Sequence, residues 1–207
     1  MYPYMKRTFD IVFSALALLL LLPLLAVAAI CIKLDSRGPV LFHTLRIGRE
    51  GKPFVMYKLR TMRHDAPSLR NEDGSCFVGR GDPRLTGLGR WLREFSVDEL
   101  PQLWNVLIGD MSLIGPRPDE VSEAAAYDDL FRRKLLVRPG ITNLPAVRGR
   151  NALTWRRRAE LDSYYVDHLS FLLDLEILLK TPGVVLSRKG VYSPARESGE
   201  LAQKGRS

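Results

Sequence analysis

The sequence predicts an α+β fold that is mainly helical, and three observations carry this prediction. An uncharged run from Ile11 to Ile32 has the composition of a membrane segment. Two short β-type segments then flank a turn-rich stretch, and apolar residues recur at helical spacing from Leu100 onward. We therefore expect an N-terminal re-entrant membrane helix-break-helix, a short β-hairpin, and amphipathic interfacial helices around a compact cytoplasmic domain.

The composition argues against several protein classes. With 207 residues, the chain is long enough for one domain with a sizeable core and too short for two. Its two cysteines give no disulfide framework, and its three histidines show no metal-ligand spacing, so the sequence predicts neither a disulfide scaffold nor a zinc site. Cysteines without a disulfide pattern are typical of a reducing compartment, which favours a domain that faces the cytoplasm.

The apolar run has three interpretations. As a helix rising ~1.5 Å per residue it would extend ~33 Å, about one hydrocarbon thickness. A secretory signal would be cleaved near Ala26–Ala28, but the run continues past that site and no disulfide pattern follows it. A transmembrane helix would carry Pro23 in its middle, where proline costs ~3 kcal/mol and kinks the helix. The third interpretation is a re-entrant segment.

Pro23 and the flanking charges favour the re-entrant segment slightly over a kinked span. The helical arms on either side of Pro23 would be ~18 and ~14 Å long, each suited to one leaflet. Lys6 and Arg7 precede the run and Lys33 and Arg37 follow it, whereas a spanning helix tends to collect its basic residues on one side. We predict that the segment breaks at Pro23 and enters and leaves by the same membrane face.

The rest of the chain predicts mixed secondary structure. Val40–Thr44 and Phe54–Leu59 are typical of hairpin strands, and residues 62–89, rich in Gly, Asp, Pro and Ser, of a long loop. Apolar periodicity predicts three later helices, which cover Leu100 to Leu107, Glu120–Leu136 and Leu161–Leu179. The predicted regions are a membrane hairpin at 1–34, a cytoplasmic domain at 35–187 and a polar tail at 188–207.

Positive charge is concentrated in one part of the chain. The net charge is +8, and nine basic residues and no acidic residue lie between Phe131 and Ala159: Arg132, Arg133, Lys134, Arg138, Arg148, Arg150, Arg156, Arg157 and Arg158. Such a run is a solvated face or, beside a membrane segment, a site for anionic lipid or a phosphorylated ligand, which we favour. Nucleic acid is not an expected partner, because no nucleic-acid-binding signature accompanies the charge.

The stretch SVDELPQLWN, residues 96–105, holds the candidate functional residues. Ser96 and Glu99 have the spacing of a capping box, in which the serine oxygen accepts from the Glu99 N–H and Glu99 reaches back. Asp98 in the first turn would also complement the helix dipole. A carboxylate at a helix N-terminus stays ionised, as a nucleophile or metal ligand must. The stretch alone favours the cap and leaves the chemistry open.

Further motifs surround this stretch in a specific order. They are Lys6-Arg7-x-x-Asp10, YKLRTM at 57–62, Arg93 to Leu107, GDMSLIGPRP at 109–118, VRPGIT at 137–142, GRNA at 149–152, Tyr164-Tyr165-Val166 and FLLDL at 171–175. In this order the blocks resemble the monotopic phosphoglycosyl transferases, the bacterial sugar transferase family. The chain is similar to the small form of that family, a catalytic domain without an added multi-span membrane domain.

The resemblance implies an activity and a location. A UDP-sugar would give its sugar-1-phosphate to a polyprenyl phosphate such as undecaprenyl phosphate, with release of UMP, in the first membrane step of glycoconjugate or polysaccharide assembly. The compact catalytic domain would sit on the cytoplasmic face of the bacterial inner membrane as a monotopic protein, with Mg²⁺ as cofactor. Neither the sugar nor the oligomeric state is implied, although Gly149–Asn151 loosely suggests an N-acetylated or modified amino sugar.

The resemblance also implies roles for individual residues. Asp98 would be the nucleophile and a magnesium ligand, with Glu99 as its catalytic partner. Pro116, Arg117 and Pro118 would help to hold the nucleotide. We hypothesise that cations surround the diphosphate, and that these are Arg93, Arg117 and Arg150, together with Lys58, Arg60 and Arg138.

Two departures and two alternatives accompany this hypothesis. The family often has serine where this chain has Leu22, before Pro23, and residues 143–148 read NLPAVR where the family more often has a Gly/Ala-Gln-Val-Asn type of run. In one alternative Asp98 only holds Mg²⁺ and the lipid phosphate attacks directly. In the other the chain is a membrane-tethered basic protein that binds nucleic acid or anionic lipid without catalysis.

Overall fold

A computed structural model of the chain describes residues 2–67, 69, 79, 81–188 and 190–192. The described helices are α1 (Tyr2–Asp35), α2 (Gly87–Glu94), α3 (Gln102–Ile108), α4 (Asp129–Arg132), α5 (Leu144–Arg148), α6 (Trp155–Asp167) and α7 (Phe171–Ser187). The strands are β1 (Leu41–Ile47), β2 (Pro53–Leu59), β3 (Ser112–Ile114) and β4 (Gly140–Thr142). The protein is therefore mainly helical with a short antiparallel hairpin, as the sequence predicts.

Helix α1 is long and apolar enough to cross a membrane by length and composition. Along one face it packs on the rest of the protein through residues three or four positions apart: Asp10, Ser14, Leu18, Leu21, Leu25, Ala28 and Ile32. The other side exposes large apolar residues, among them Leu16, Leu19, Leu20 and Val27. Because the packed stripe covers most of its length, α1 lies along the body instead of projecting from it.

Pro23 lies inside α1, so the predicted division into two helices separated by a break is wrong. Proline removes one backbone N–H and crowds the carbonyl four residues earlier, and a helix accommodates both through a kink without ending. Pro23 is exposed, while Leu21 and Leu25 on either side pack against the body and hold both halves of the helix in place. The re-entrant path through a membrane stays a prediction.

Hydrogen bonds attach both ends of α1 to the same body. Near the first turns, the Arg7 guanidinium donates to the Val106 and Leu107 carbonyls at 2.6 and 3.0 Å. At the other end, the buried Arg60 guanidinium donates to the carbonyls of Ile32 and Ser36 at 3.2 and 2.7 Å. These contacts add side-chain donors to carbonyls in the last turns of α3 and α1, where backbone donors are in short supply.

The predicted hairpin is confirmed, with slightly longer strands. β1 and β2 pair antiparallel in a register that joins Leu41 to Leu59 and Ile47 to Pro53. Side chains alternate between the two faces of a strand, and Phe54 and Met56 therefore enter the main core together. Lys58 follows them on the same face, which directs it towards the interior.

The sequence analysis did not predict the second sheet. β3 and β4 pair parallel, with Ser112 opposite Gly140 and Ile114 opposite Thr142. Three-residue strands are too short to show a period, so the pattern of apolar residues gave no signal. Gly115, directly after β3, faces Gly140 so closely that a Cβ on Gly140 would lie 2.1 Å from the Gly115 nitrogen.

Two helix predictions and one loop prediction need correction. Glu120–Leu136 is divided into a 3-10 turn, the short helix α4 and a second 3-10 turn, because Asp128 caps a new start by accepting from the Phe131 N–H at 3.0 Å. Leu161–Leu179 is two helices, because Ser170 starts α7. Helix α2 begins at Gly87, inside the predicted loop 62–89, and continues past it to Glu94; its two glycines, Gly87 and Gly89, hid the start of the helical pattern. Residues 68, 70–78 and 80 of that loop, and 189 and 193–207 of the predicted tail, lie outside the described residues.

Candidate active site

The turn between α2 and α3 positions the two carboxylates singled out in the sequence. α2 ends at Glu94, Ser96 adopts the left-handed conformation (φ 55°, ψ 21°), and a 3-10 turn of Val97–Glu99 follows. The Ser96 side chain makes no capping hydrogen bond, so the predicted capping box is wrong. The Glu99 N–H donates instead to the Ser96 backbone carbonyl at 3.2 Å. The carboxylates of this turn are therefore available for other contacts.

Glu99 is held by two cations from distant parts of the chain. Its Oε1 atom accepts from Lys58 Nζ at 2.8 Å and from an Arg117 terminal nitrogen at 2.9 Å. Burial by itself would raise the pKa of Glu99, but the charges of Arg117 and Lys58 hold this pKa far below its usual range. This lowered pKa keeps Glu99 ionised at neutral pH.

Asp98 has a different environment from its neighbour. Its side chain is buried, with the residue only 5% exposed, and no described residue donates a hydrogen bond to its carboxylate. Burial raises the pKa of Asp98 to about 6; Glu99 raises it further, while the charges of Lys58, Arg93 and Arg117 oppose the rise. At neutral pH the group is a buried carboxylate facing cations, with its oxygen atoms uncommitted to the described protein.

Two further arginines approach this turn. Gly89 lets α2 pack on the backbone of Thr61, since a Cβ at Gly89 would lie 1.8 Å from the Thr61 carbonyl oxygen. One helical turn later, Arg93 reaches the Thr61 hydroxyl at 3.4 Å. Arg150 donates to the Ser96 hydroxyl at 3.3 Å, and its other terminal nitrogen is buried without a partner among the described residues.

The Pro116–Pro118 segment presents Arg117 to this turn. It leaves β3 and is fixed to β4, because the Gly140 N–H donates to the Pro116 carbonyl at 2.9 Å. Both prolines are buried, whereas the Arg117 side chain is half exposed. Proline restricts φ on either side of the arginine, which limits the paths that the backbone can take. The structure thus brings together Lys58, Arg93, Asp98, Glu99, Arg117 and Arg150, which we call the Asp98 cluster.

The structure does not bring the other two predicted cations into this cluster. Arg60 is buried at the C-terminal end of α1, where its guanidinium is committed to backbone carbonyls, among them those of Ser36 and Arg37. Arg138 donates to the Gly109 carbonyl at 2.9 Å and lies near Arg7. Both arginines stabilise connections between elements, so neither enters the proposal below.

Most cations of the basic run have intramolecular partners, which the sequence did not indicate. Arg133, Arg148, Arg156 and Arg157 form ion pairs with Asp167, Glu176, Asp128 and Glu160 respectively. These acids come from outside the run, so the local sequence showed an excess of charge that folding offsets. The prediction of anionic lipid as a partner therefore rests on fewer free charges than the sequence suggested.

A second buried polar group lies next to the site and was missed. Lys134 is 8% exposed and contacts Asp119 at 2.7 Å and Asp162 at 3.5 Å, and the Tyr127 hydroxyl also donates to Asp119. We call these four residues the Lys134 cluster. The position of Asp119 directly after the Pro-Arg-Pro motif was the one available signal, because the other members come from separate turns and helices.

Comparison with known proteins decides the family. The model of the bacterial sugar transferase family matches residues 1–188, nearly the whole chain. The chain belongs to this family. The resemblance that the sequence motifs suggested is thereby confirmed.

Several curated relatives of this bacterial sugar transferase are similar over most of the chain. An undecaprenyl-phosphate galactose phosphotransferase of Salmonella typhimurium is 41% identical over 200 residues, which cover 91% of this chain and 42% of the relative. A UDP-glucose:undecaprenyl-phosphate glucose-1-phosphate transferase of Caulobacter vibrioides is 43% identical over 201 residues, covering 90% and 72%. An uncharacterized sugar transferase of Bacillus subtilis is 40% identical over 196 residues, covering 95% and 94%. The chain thus spans about two fifths of the length of the first relatives and almost all of the last.

Proposed function

We propose that this sugar transferase moves sugar-1-phosphate from a UDP-sugar to polyprenyl phosphate, undecaprenyl phosphate in a bacterium, through a covalent intermediate on Asp98. The observation that carries the proposal is the contrast within the dyad: Glu99 is committed to Lys58 and Arg117, whereas Asp98 is buried, uncommitted and faces the same cations. The names of the Salmonella and Caulobacter relatives support the substrate classes. They also favour an enzyme over the non-catalytic binding protein.

In the first step an Asp98 carboxylate oxygen attacks the phosphorus next to the sugar. The bond from that phosphorus to the bridging oxygen breaks, and UMP leaves with the bridging oxygen and its electron pair. The product is an acyl phosphate that joins Asp98 to the sugar phosphate. In the second step a polyprenyl phosphate oxygen attacks the same phosphorus and the Asp98 carboxylate is released. One diphosphate linkage replaces another, so no ATP is consumed.

The cations of the Asp98 cluster would offset the charge that this reaction brings together. Attack by a carboxylate on a diphosphate is opposed by repulsion, and preorganised positive groups in a buried site reduce that cost. Lys58 and Arg117 are held in place by Glu99, and Arg93 and Arg150 by hydroxyl groups. Glu99 in this scheme is a positioning residue that stays ionised and orients two cations. A role for Glu99 as a base would require a pKa far above the one its partners impose.

Mg²⁺ is the cofactor that we propose from the family resemblance. The ion prefers one or two carboxylates together with substrate phosphate oxygens and water. The described residues contain no group of three His, Cys, Asp or Glu side chains suited to a metal ion, so a site completed by substrate is required. Asp98 fits that requirement, because its oxygens are not engaged by described residues. When bound, Mg²⁺ would neutralise charge on the transferred phosphate.

We also propose that the protein is monotopic on the cytoplasmic face of the inner membrane. A spanning α1 would have to leave the body, yet its packed stripe runs from Asp10 to Ile32. Val97, the residue before Asp98, packs in the same cluster as Ala28 and Ile32 of this helix. Asp98 would therefore sit close to the level at which a lipid phosphate meets the aqueous nucleotide sugar.

The test of the covalent route omits the lipid acceptor. Purified protein is incubated with Mg²⁺ and UDP-sugars labelled in the sugar, including UDP-glucose, UDP-galactose and their N-acetylated counterparts. We expect UMP release close to one equivalent per protein, and label on the peptide that contains Asp98. UMP release that occurs only after polyprenyl phosphate is added, with no labelled protein, would support direct attack by the lipid and contradict the covalent step.

Topology is tested by two cysteines placed on exposed residues near the ends of α1. Tyr4 and Leu34 are 83% and 82% exposed, so cysteine at either position should leave the packing unchanged. In a background without Cys31 and Cys76, an impermeant maleimide should label both positions from the cytoplasmic side of inverted vesicles. Labelling of the two positions from opposite sides would exclude the monotopic arrangement.

A further inference from the structure

The Lys134 cluster connects helix α6 to the segment that carries Arg117. Asp119 follows Pro118 directly in the chain, and it is anchored by Lys134 at 2.7 Å. The same ammonium group contacts Asp162 of α6 at 3.5 Å. The Asp119 backbone is fixed as well, since its carbonyl accepts from the Ile47 N–H at 3.1 Å. One face of α6 is thereby docked beside the Pro116–Pro118 segment.

Arg158 lies on this face of α6, one turn before Asp162. It is partly buried, and its Nε atom donates to the Leu153 carbonyl at 3.2 Å. Its two terminal amino groups have no hydrogen bond or ion pair with any residue that the structure describes. Both amino groups can therefore donate to an acceptor that the described residues do not supply.

Arg158 is also placed beside a second guanidinium group. Burial lowers the pKa of Arg158, the neighbouring Arg117 charge lowers it further, and Asp119 and Asp162 oppose this. The charges of Glu99, Asp98 and Asp119 all raise the pKa of Arg117. Arg117 is therefore a group whose charge interacts both with the two carboxylates of the dyad and with Arg158. Two adjacent cations repel each other, and an anion that both can contact removes that cost.

We propose that Arg158 is a further substrate-contacting residue, which together with Arg117 binds the nucleotide-side phosphate of the donor. This inference rests on the proposed function, in which the sugar-side phosphorus lies at Asp98. In this scheme we place the second phosphorus of the diphosphate on the Arg117 side of the site, which Arg158 borders. When the bond to the bridging oxygen breaks, this phosphate gains a negative charge, and Arg158 stabilises it as UMP leaves.

The test measures the binding of UMP and uridine to the full chain in detergent, by calorimetry. The two ligands differ only in the phosphate, so their comparison isolates the proposed contact. We expect Arg158→Ala to weaken UMP binding about 10- to 100-fold, as loss of charge-assisted hydrogen bonds does. Uridine binding should change less than about twofold. Arg158→Lys keeps a charge and should bind UMP more tightly than Arg158→Ala.

Arg157→Ala is the matched control on the same helix. Arg157 points outward with its side chain 58% exposed, and it pairs with Glu160 at 2.8 Å, so its loss should leave UMP binding unchanged. Equal weakening of UMP and uridine by Arg158→Ala, or no weakening at all, would overturn the inference while the proposed donor stands. Failure of the native chain to bind UMP would instead overturn the proposed donor, and the inference with it.

Discussion

The Asp98 cluster and the Lys134 cluster contain the same kinds of groups and use them differently. Each has a lysine with little exposure next to two carboxylates. Lys134 contacts both of its carboxylates, Asp119 and Asp162, and the Tyr127 hydroxyl adds a third link. Lys58 contacts only Glu99, and Arg117 joins it there, so that Asp98 is left uncommitted. We call the Lys134 cluster closed because its lysine contacts both carboxylates, although the Asp162 Oδ1 atom is buried without a partner among the described residues. We call the Asp98 cluster open because no described residue donates a hydrogen bond to the Asp98 carboxylate.

A raised pKa does not separate the two clusters. Burial raises the pKa of Asp98 to about 6, and burial also raises the pKa of Asp162 to about 6. What separates them is the supply of partly exposed cations, because Arg93, Arg117 and Arg150 surround Asp98 and can contact an incoming anion. The comparison teaches that a perturbed carboxylate indicates a reactive site only together with groups that can hold the substrate.

The largest expected effect is the loss of catalysis in Asp98→Asn, which tests whether the two aspartates differ in function. An amide cannot form the acyl phosphate, so we expect transfer to fall at least about 10,000-fold. Asp162→Asn, the matched change in the closed cluster, should lower transfer no more than about tenfold. Initial rates of UMP release measure both variants. Comparable losses would show that the clusters are functionally alike and would contradict the assignment of Asp98.

The next largest effect is on stability, to which we expect the Lys134 cluster to contribute more than the Asp98 cluster. Lys134→Met leaves Asp119 and Asp162 buried without a cation, and should lower the free energy of unfolding by about 3–5 kcal/mol. Lys58→Met should cost less, about 1–2 kcal/mol, because Arg117 still pairs with Glu99. Denaturant unfolding in detergent measures the difference. Equal destabilisation by the two substitutions would contradict the distinction between a closed and an open cluster.

A smaller effect is expected in the pH dependence of the first step. Attack requires the carboxylate form, and the pKa of Asp98 is raised to about 6, so single-turnover UMP release should fall about tenfold per pH unit below pH 6. The negative charge of Glu99 contributes to the raised pKa of Asp98. Glu99→Gln should therefore slow the reaction yet move this acidic limb to lower pH. An acidic limb that stays in place would show that Asp98 is not the titrating group.

The smallest effect is expected outside both clusters, at the exposed ion pairs of the basic run. Arg156 pairs with Asp128 at 2.9 Å, but the two side chains are 64% and 48% exposed. Such pairs contribute little in water, so Arg156→Gln should change the free energy of unfolding by less than about 0.5 kcal/mol. Unfolding of the detergent-solubilised variant beside the native chain measures this change. A loss as large as that of Lys134→Met would mean that exposed and buried pairs matter equally in this protein.

Local sequence predicted the elements with strong patterns and missed those that depend on distant contacts. The apolar composition of Ile11–Ile32 and the alternation around the turn at residues 48–52 led to α1 and the hairpin. The parallel pair β3–β4 was missed, because three-residue strands carry no period. The predicted capping box at Ser96 was wrong. The spacing of Ser96 and Glu99 fits a capping box, but it does not show that the Ser96 backbone is left-handed.

The sequence by itself determined the apolar N-terminal helix, the order of the motifs and the family, because composition and motif spacing are properties of the linear chain. Only the tertiary structure decided which carboxylate is free. Glu99 takes its partners from 41 residues earlier and 18 residues later in the chain, and spacing within SVDELPQLWN cannot show which side chains arrive there. The same holds for Arg158, whose position beside Arg117 depends on how the Lys134 cluster docks α6. Electrostatic environment is set by distance in space, and a folded chain fixes that distance through contacts that no local pattern contains.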